Sequence, residues 1–139
     1  MTTAIVDTGP LIAFLDRSEQ HHRWVTDRIN ELETPLLVCE PVIVEATYLL
    51  RRNLRTRDIL LELLQNGALR VAFRVDEHVG ALRKLLQKYS DTPTSLADAC
   101  IVLMAEIHRS HPVLTLDSDF LIYRKSDRTP LTLIYPGNG

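Results

Sequence analysis

The sequence holds only two cysteines, five glycines and one tryptophan in 139 residues, and no apolar run approaches the ~20 residues of a membrane span. It opens on "MTTAIVDTGPLIAFL", which lacks the basic start and small-residue cleavage site of a secretory signal. A cytoplasmic location with no membrane attachment is therefore expected. Cys39 and Cys100 both sit in apolar segments, so they read as buried free thiols of a reducing compartment and not as a disulfide. No repeat, low-complexity tract or long linker divides the chain, and one domain over 1–139 is expected. A chain of this length buries roughly two-thirds of the surface its unfolded form exposes and needs no metal or disulfide merely to fold.

An excess of positive charge is also missing. Sixteen Lys and Arg stand against eighteen Asp and Glu, a net charge of −2, which argues against a strongly basic surface for nucleic acid without excluding a local one. The densest basic stretch is "RRNLRTR", with Arg51, Arg52, Arg55 and Arg57. A solvated helix end accounts for it, because arginines suit the negative pole of a helix. The histidines have no metal-ligand spacing: His21 and His22 are adjacent on what reads as an exposed helix, and His78, His108 and His111 are scattered, so no zinc site is expected. Trp24 and Tyr48 read as core or interface anchors in preference to base-stacking platforms.

What the chain does contain is alternation. "TAIVD" (3–7), "LLVC" (36–39), "LRVAFRV" (69–75), "PVLTL" (112–116) and "LTLIY" (131–135) are short, mostly apolar runs of the kind that form strands covered on both faces. Helical patterns separate them. The first begins near Thr8 and Pro10, a second is capped by Ser18 and runs to about Glu33, and Pro41 suits the first turn of a third. A fourth runs from about Thr56 to Asn66 and stops at Gly67, a fifth covers 76–90, and Ser95 opens a sixth. This order predicts an α/β fold of three layers, α/β/α, around a mostly parallel sheet of four to five strands. In such sheets ligands bind beyond the carboxyl ends of the strands, where strand order reverses. Asp7 ends the first strand and Asp117 the fourth, so the two carboxylates share an edge if those strands are neighbours.

Two more acids sit where acids are costly. In "SLADACIVLM" the only charge is Asp98; with Ser95 three residues earlier it forms a capping-box pattern, which is one sufficient explanation. In "EPVIVEATYLL" Glu45 has Pro41, Val42, Tyr48 and Leu49 one turn away, which predicts a core-facing position unless the side chain snorkels to solvent. Four acids gathered without a counter-ion would drive their own protonation, since two like charges ~5 Å apart repel by about 3 kcal/mol at an effective dielectric of 20. A divalent cation reverses the sign. Hard oxygen donors without His or Cys select Mg²⁺ or Mn²⁺, and phosphodiester hydrolysis is the reaction such a site serves most directly. On this reading Asp7, Asp98 and Asp117 are metal ligands, and Glu45 completes the shell or orients the attacking water. Thr8 and Thr115 supply hydroxyls that hold the carboxylates.

"IVDTGPLIAFL", the acid of "PVIVEATYLL", "SLADACIVLMA" and "VLTLDSDF" resemble, in order and spacing, the four acidic motifs of PIN domains, most closely the small VapC-type ribonuclease toxins. The resemblance covers the whole chain and implies a three-layer α/β/α domain, Mg²⁺- or Mn²⁺-dependent cleavage of RNA, homodimers and, in toxin members, a cognate antitoxin. It carries the family's acids onto Asp7, Glu45, Asp98 and Asp117. The last motif holds a second carboxylate, Asp119, kept as a secondary candidate because successive residues beyond a strand rarely point the same way. A module of this type that binds RNA or a partner without cutting is the alternative. A phosphotransfer enzyme with Asp7 as nucleophile is disfavoured, because the second Asp that haloacid-dehalogenase-type phosphatases need two residues on is replaced by Gly9.

Overall fold

The computed structural model of the protein describes residues 2–138. Five strands, β1 (Ile5–Val6), β2 (Leu36–Val38), β3 (Leu69–Val71), β4 (Val113–Leu114) and β5 (Leu133–Ile134), form one sheet in the order β3-β2-β1-β4-β5. Every pairing is parallel, with Ile5 opposite both Leu37 and Val113. Six helices connect them: α1 (Thr8–Leu15), α2 (His22–Asn30), α3 (Glu40–Leu49), α4 (Leu54–Gln65), α5 (Val79–Lys88) and α6 (Leu96–Ile107). The chain steps outward from β1 to β2 to β3, then crosses back to β4 on the other side of β1. With right-handed crossovers this reversal puts α1 to α4 on one face and α5 and α6 on the other. The reversal at β1 and β4 is the switch point at which an α/β sheet offers its binding crevice.

Both faces of the sheet are covered, so its central strands are apolar throughout. Ile5, Val6, Val38, Val113 and Leu114 are buried, as is nearly all of α6 from Ala97 to Ala105 apart from Asp98. Cys39 and Cys100 are buried free thiols, as expected. Gly67 stops α4 with φ +85°, the left-handed conformation that a residue without Cβ adopts at no steric cost.

Element boundaries differ from the sequence reading in instructive ways. Ser18 does not open α2: its amide and hydroxyl both donate to Asp16 Oδ1, at 2.9 and 2.7 Å. That local turn satisfies the groups a helix cap would have used, and α2 starts at His22. The fourth helix begins two residues early because Asn53 caps it, its side chain accepting from the Thr56 amide at 3.2 Å. The strands are shorter than their apolar runs. β3 ends at Val71, and a separate turn of 3-10 helix over Val75–Glu77 precedes α5. His22 is half-buried and not exposed, its Nδ1 2.7 Å from the Ala13 carbonyl oxygen.

Candidate active site

Asp7 follows β1 directly and is the N-cap of α1, its Oδ1 accepting from the Thr8 amide at 2.8 Å. Strand end and helix start thus fix one residue, which is why the carboxylate sits at the switch point with little freedom. Thr115, one residue past β4, donates its hydroxyl to Asp7 Oδ2 at 2.8 Å and accepts from the Asp117 amide at 3.0 Å. This buried hydroxyl ties the ends of two neighbouring strands together. Only 7% of Asp7 is exposed, and burial pushes its carboxyl up to about 6 against the two hydrogen bonds, helped by the charges of Asp98 and Asp117. The positive end of α1 favours the carboxylate, but desolvation outweighs it.

Asp98 is both a helix cap and a wall residue of the acidic cavity described below. It closes a capping box with Ser95: the Asp98 amide donates to Ser95 Oγ at 3.1 Å, and Asp98 Oδ2 accepts from the Ser95 amide at 3.3 Å. The same Oδ2 accepts from the Tyr123 hydroxyl at 3.1 Å. Capping therefore occupies one oxygen, and Oδ1 takes no hydrogen bond from the described residues. Burial raises the Asp98 carboxyl above its ordinary range against those bonds, with the charge of Asp117 adding to the shift. Asp117 divides its oxygens similarly, Oδ1 accepting from the Asp119 amide at 2.9 Å.

Glu45 requires a correction. The core face of α3 is Val42, Ala46 and Leu50, whereas Glu45, Tyr48 and Leu49 are exposed. Of the apolar neighbours that suggested burial, Val42 lies on the core face, whereas Tyr48 and Leu49 belong with Val44 to a second, solvent-facing stripe, and Glu45 stands on it at the mouth of a cavity. That cavity, of about 520 Å³, is lined by Asp7, Thr8, Gly9, Glu45, Leu49, Asp98, Leu116, Asp117 and Ser118. All four predicted acids and Thr8 therefore face one space at the carboxyl edge of the sheet, with Thr115 beneath Asp7. Partial desolvation and the charge of Asp98 raise the Glu45 carboxyl. Asp119 does not line this cavity; its amide orients Asp117.

Tyr123 is the site residue that sequence reasoning missed. It is fully buried, its hydroxyl lies 3.1 Å from both Thr94 Oγ1 and Asp98 Oδ2, and Tyr89 and Phe120 pack edge-on against its ring. A buried tyrosine hydroxyl needs a partner, but nothing in the spacing of "DFLIY" names an aspartate 25 positions earlier. Among the described residues no three His, Cys, Asp or Glu side chains close into a cage around a common point. The acids share a cavity while Asp7, Asp98 and Asp117 each accept hydrogen bonds from protein donors of their own. Thr8 Oγ1 is buried there without a hydrogen-bond partner.

A parallel α/β domain with carboxylates from four separate elements around a crevice at its switch point is a narrow class. Residues 4–125 match the PIN domain model, and the chain belongs to the PIN domain family. The ribonuclease VapC26 of Mycobacterium tuberculosis (strain ATCC 25618 / H37Rv) is 30% identical over 115 residues, covering 81% of this chain and 85% of that protein. In fold, the chain resembles one from a toxin-antitoxin complex of Klebsiella pneumoniae, with a TM-score of 0.64 at 17% identity over 84% of this chain and 88% of that one.

Proposed function

We propose that the protein is a divalent-cation-dependent endoribonuclease that hydrolyses RNA phosphodiesters and serves as the toxin of a toxin–antitoxin pair. One observation carries this reading: Asp7, Glu45, Asp98 and Asp117, distant in sequence, line a single cavity at the switch point of the sheet. The 30% identity to a named ribonuclease supports it.

The residues present fit Mg²⁺ or Mn²⁺. The donors are hard oxygens, Asp98 and Asp117 each keep one carboxylate oxygen clear of internal bonds, the Thr8 hydroxyl is orphaned, and Asp7 is held at an unfavourable protonation balance that a cation relieves. Asp7, Asp98 and Asp117 would hold the ion. When bound, it supplies positive charge that polarises a phosphoryl oxygen and makes water a better nucleophile. The remaining work belongs to the chain. Thr115 fixes the Asp7 carboxylate, and Ser95 and Tyr123 fix that of Asp98, so that oriented charge is in place before RNA arrives. Glu45, exposed at the cavity mouth with a raised pKa, accepts a proton from the attacking water.

The partners belong to the same proposal. An antitoxin segment would seat on the apolar cavity lined by Pro41, Val44, Val75, Leu96 and Glu45 beside the acids, and a second copy of the chain would complete a homodimer in the cytoplasm. The test is cleavage of RNA by the purified protein with Mn²⁺, and inhibition of growth on its expression, each compared with Asp7→Asn and Asp98→Asn. Both activities are expected to vanish while circular dichroism stays unchanged; full activity in either variant after stringent purification overturns the reading. A non-cleaving RNA- or partner-binding module draws support from the open arrangement of the carboxylates. Calorimetric Mn²⁺ binding without cleavage of any structured or single-stranded RNA would favour it.

A further inference from the structure

The stretch "RRNLRTR" gains a role from its position. Arg51 and Arg52 follow the C-cap of α3, Leu50, where a helix dipole favours cations. Arg55 and Arg57 do not: they lie in the first turn of α4, which contains no acid, at the positive pole where the dipole opposes them. Arg51, Arg52 and Arg55 are exposed and Arg57 half-buried, and among the described residues none of the four is in an ion pair. Helix electrostatics thus account for half of the cluster and count against the other half. An external anion accounts for all of it.

Proximity names the anion. Leu49 is a wall of the acidic cavity, and at 3.8 Å per residue Arg52 lies within about 11 Å of it along the backbone. Tyr48, on the same stripe of α3 as Glu45, is 61% exposed. The Arg51 guanidinium stacks over its ring 4.0 Å from the centroid and donates from Nη1 to the Tyr48 carbonyl at 2.9 Å. The pair is a preformed flat surface one turn from Glu45. A cavity walled with carboxylates repels a polyanion, so a substrate strand needs cationic contacts just outside it.

We propose that the edge formed by Tyr48, Arg51, Arg52 and Arg55 holds single-stranded RNA at the mouth of the acidic cavity. The Tyr48–Arg51 stack carries an unpaired base, and Arg52 and Arg55 engage the flanking phosphates. They are positioning residues that deepen the nuclease reading and rest on it for the identity of the strand.

The test is fluorescence anisotropy of a short labelled single-stranded RNA with the full chain in EDTA, at salt from about 50 to 200 mM. R52Q/R55Q is expected to weaken binding at least tenfold at the low-salt end and to flatten the salt dependence by about 1.4 log units per log unit, ~0.7 for each phosphate contact. R52K/R55K restores it. Y48L weakens binding about fivefold with an unchanged salt slope, because stacking is not ionic. In cleavage assays R52Q/R55Q raises KM and leaves kcat within about twofold. An unchanged Kd and slope in R52Q/R55Q overturns the proposal. So does a loss of dimer mass in analytical ultracentrifugation with RNA affinity intact, which would make the edge a protein interface. If the wild type binds RNA with this arginine dependence but cuts none, the nuclease reading fails and the edge stands. If it cuts and neither Kd nor KM responds to R52Q/R55Q, the edge alone fails.

Discussion

The floor and the rim of the acidic cavity are built on opposite terms. On the floor, Asp7 and Thr115 are buried, hydrogen-bonded to each other and locked between strand ends and a helix start. On the rim, Glu45, Tyr48 and Leu49 are exposed on one stripe of α3. A floor carboxylate is held in place by the structure and destabilises it when charged. A rim carboxylate, exposed to solvent, costs little. Function and stability are therefore opposed at the Asp7 carboxylate and independent at the rim, and substitutions in the two places should separate them.

The largest effect expected is at Asp7. Its folded carboxyl titrates near 6 against an ordinary 3.8, so the folded state binds the extra proton in that interval. Asp7 thus contributes stability that is fully present in acid and is lost as pH rises through about 6, a change of about 3 kcal/mol at ~1.4 kcal/mol per pH unit. In denaturant titrations with EDTA, Asp7→Asn, which keeps the helix cap, should match the wild type near pH 4 and exceed its stability at pH 7.5 by up to about 3 kcal/mol. Equal stability at both pH values would remove the contrast between floor and rim.

Thr115→Val should act on stability and activity together. It removes the donor to Asp7 and the acceptor of the Asp117 amide, so a loss of about 1–2 kcal/mol is expected in chemical denaturation. RNA cleavage should fall by roughly tenfold or more, with the pH midpoint of the stability curve moved upward. Glu45→Gln should divide the two readouts. Cleavage is expected to drop by roughly a hundredfold, the range of a lost general base, while the denaturation midpoint moves by less than about 0.5 kcal/mol, as for an exposed side chain. A large stability change there would put Glu45 with the floor. The smallest effect belongs to Asp119→Asn. Its backbone amide, not its carboxylate, contacts Asp117, so cleavage should stay within about twofold; a loss as deep as that of Asp117→Asn would exchange their roles.

Much of this contrast is legible in the sequence, residue by residue. "AIVD" followed by "TGP" places an acid at a strand end and a helix start together, and "SLAD" places Asp98 in a capping box, because both signals lie within four residues. Glu45 lies on the other side of α3 from the one its apolar neighbours predict. The helix carries two apolar stripes, Val42/Ala46/Leu50 inside and Val44/Tyr48/Leu49 outside, and periodicity alone does not tell which one meets the sheet. The same ambiguity concealed the exposure of Tyr48. Tyr123 was illegible because its partner, Asp98, is 25 positions away on another element.

The order of strands and helices, the four acids and their family membership were determined by the sequence itself, because periodicity, caps and motif spacing are local and survive without knowledge of the fold. Only the tertiary structure decided that β1 and β4 are neighbours, that Tyr123 holds Asp98, and that Glu45 stands at the rim beside an arginine edge. Those facts depend on which distant surfaces are driven together by burial of the core, and pairwise geometry across the sheet is not encoded in any short stretch of the chain.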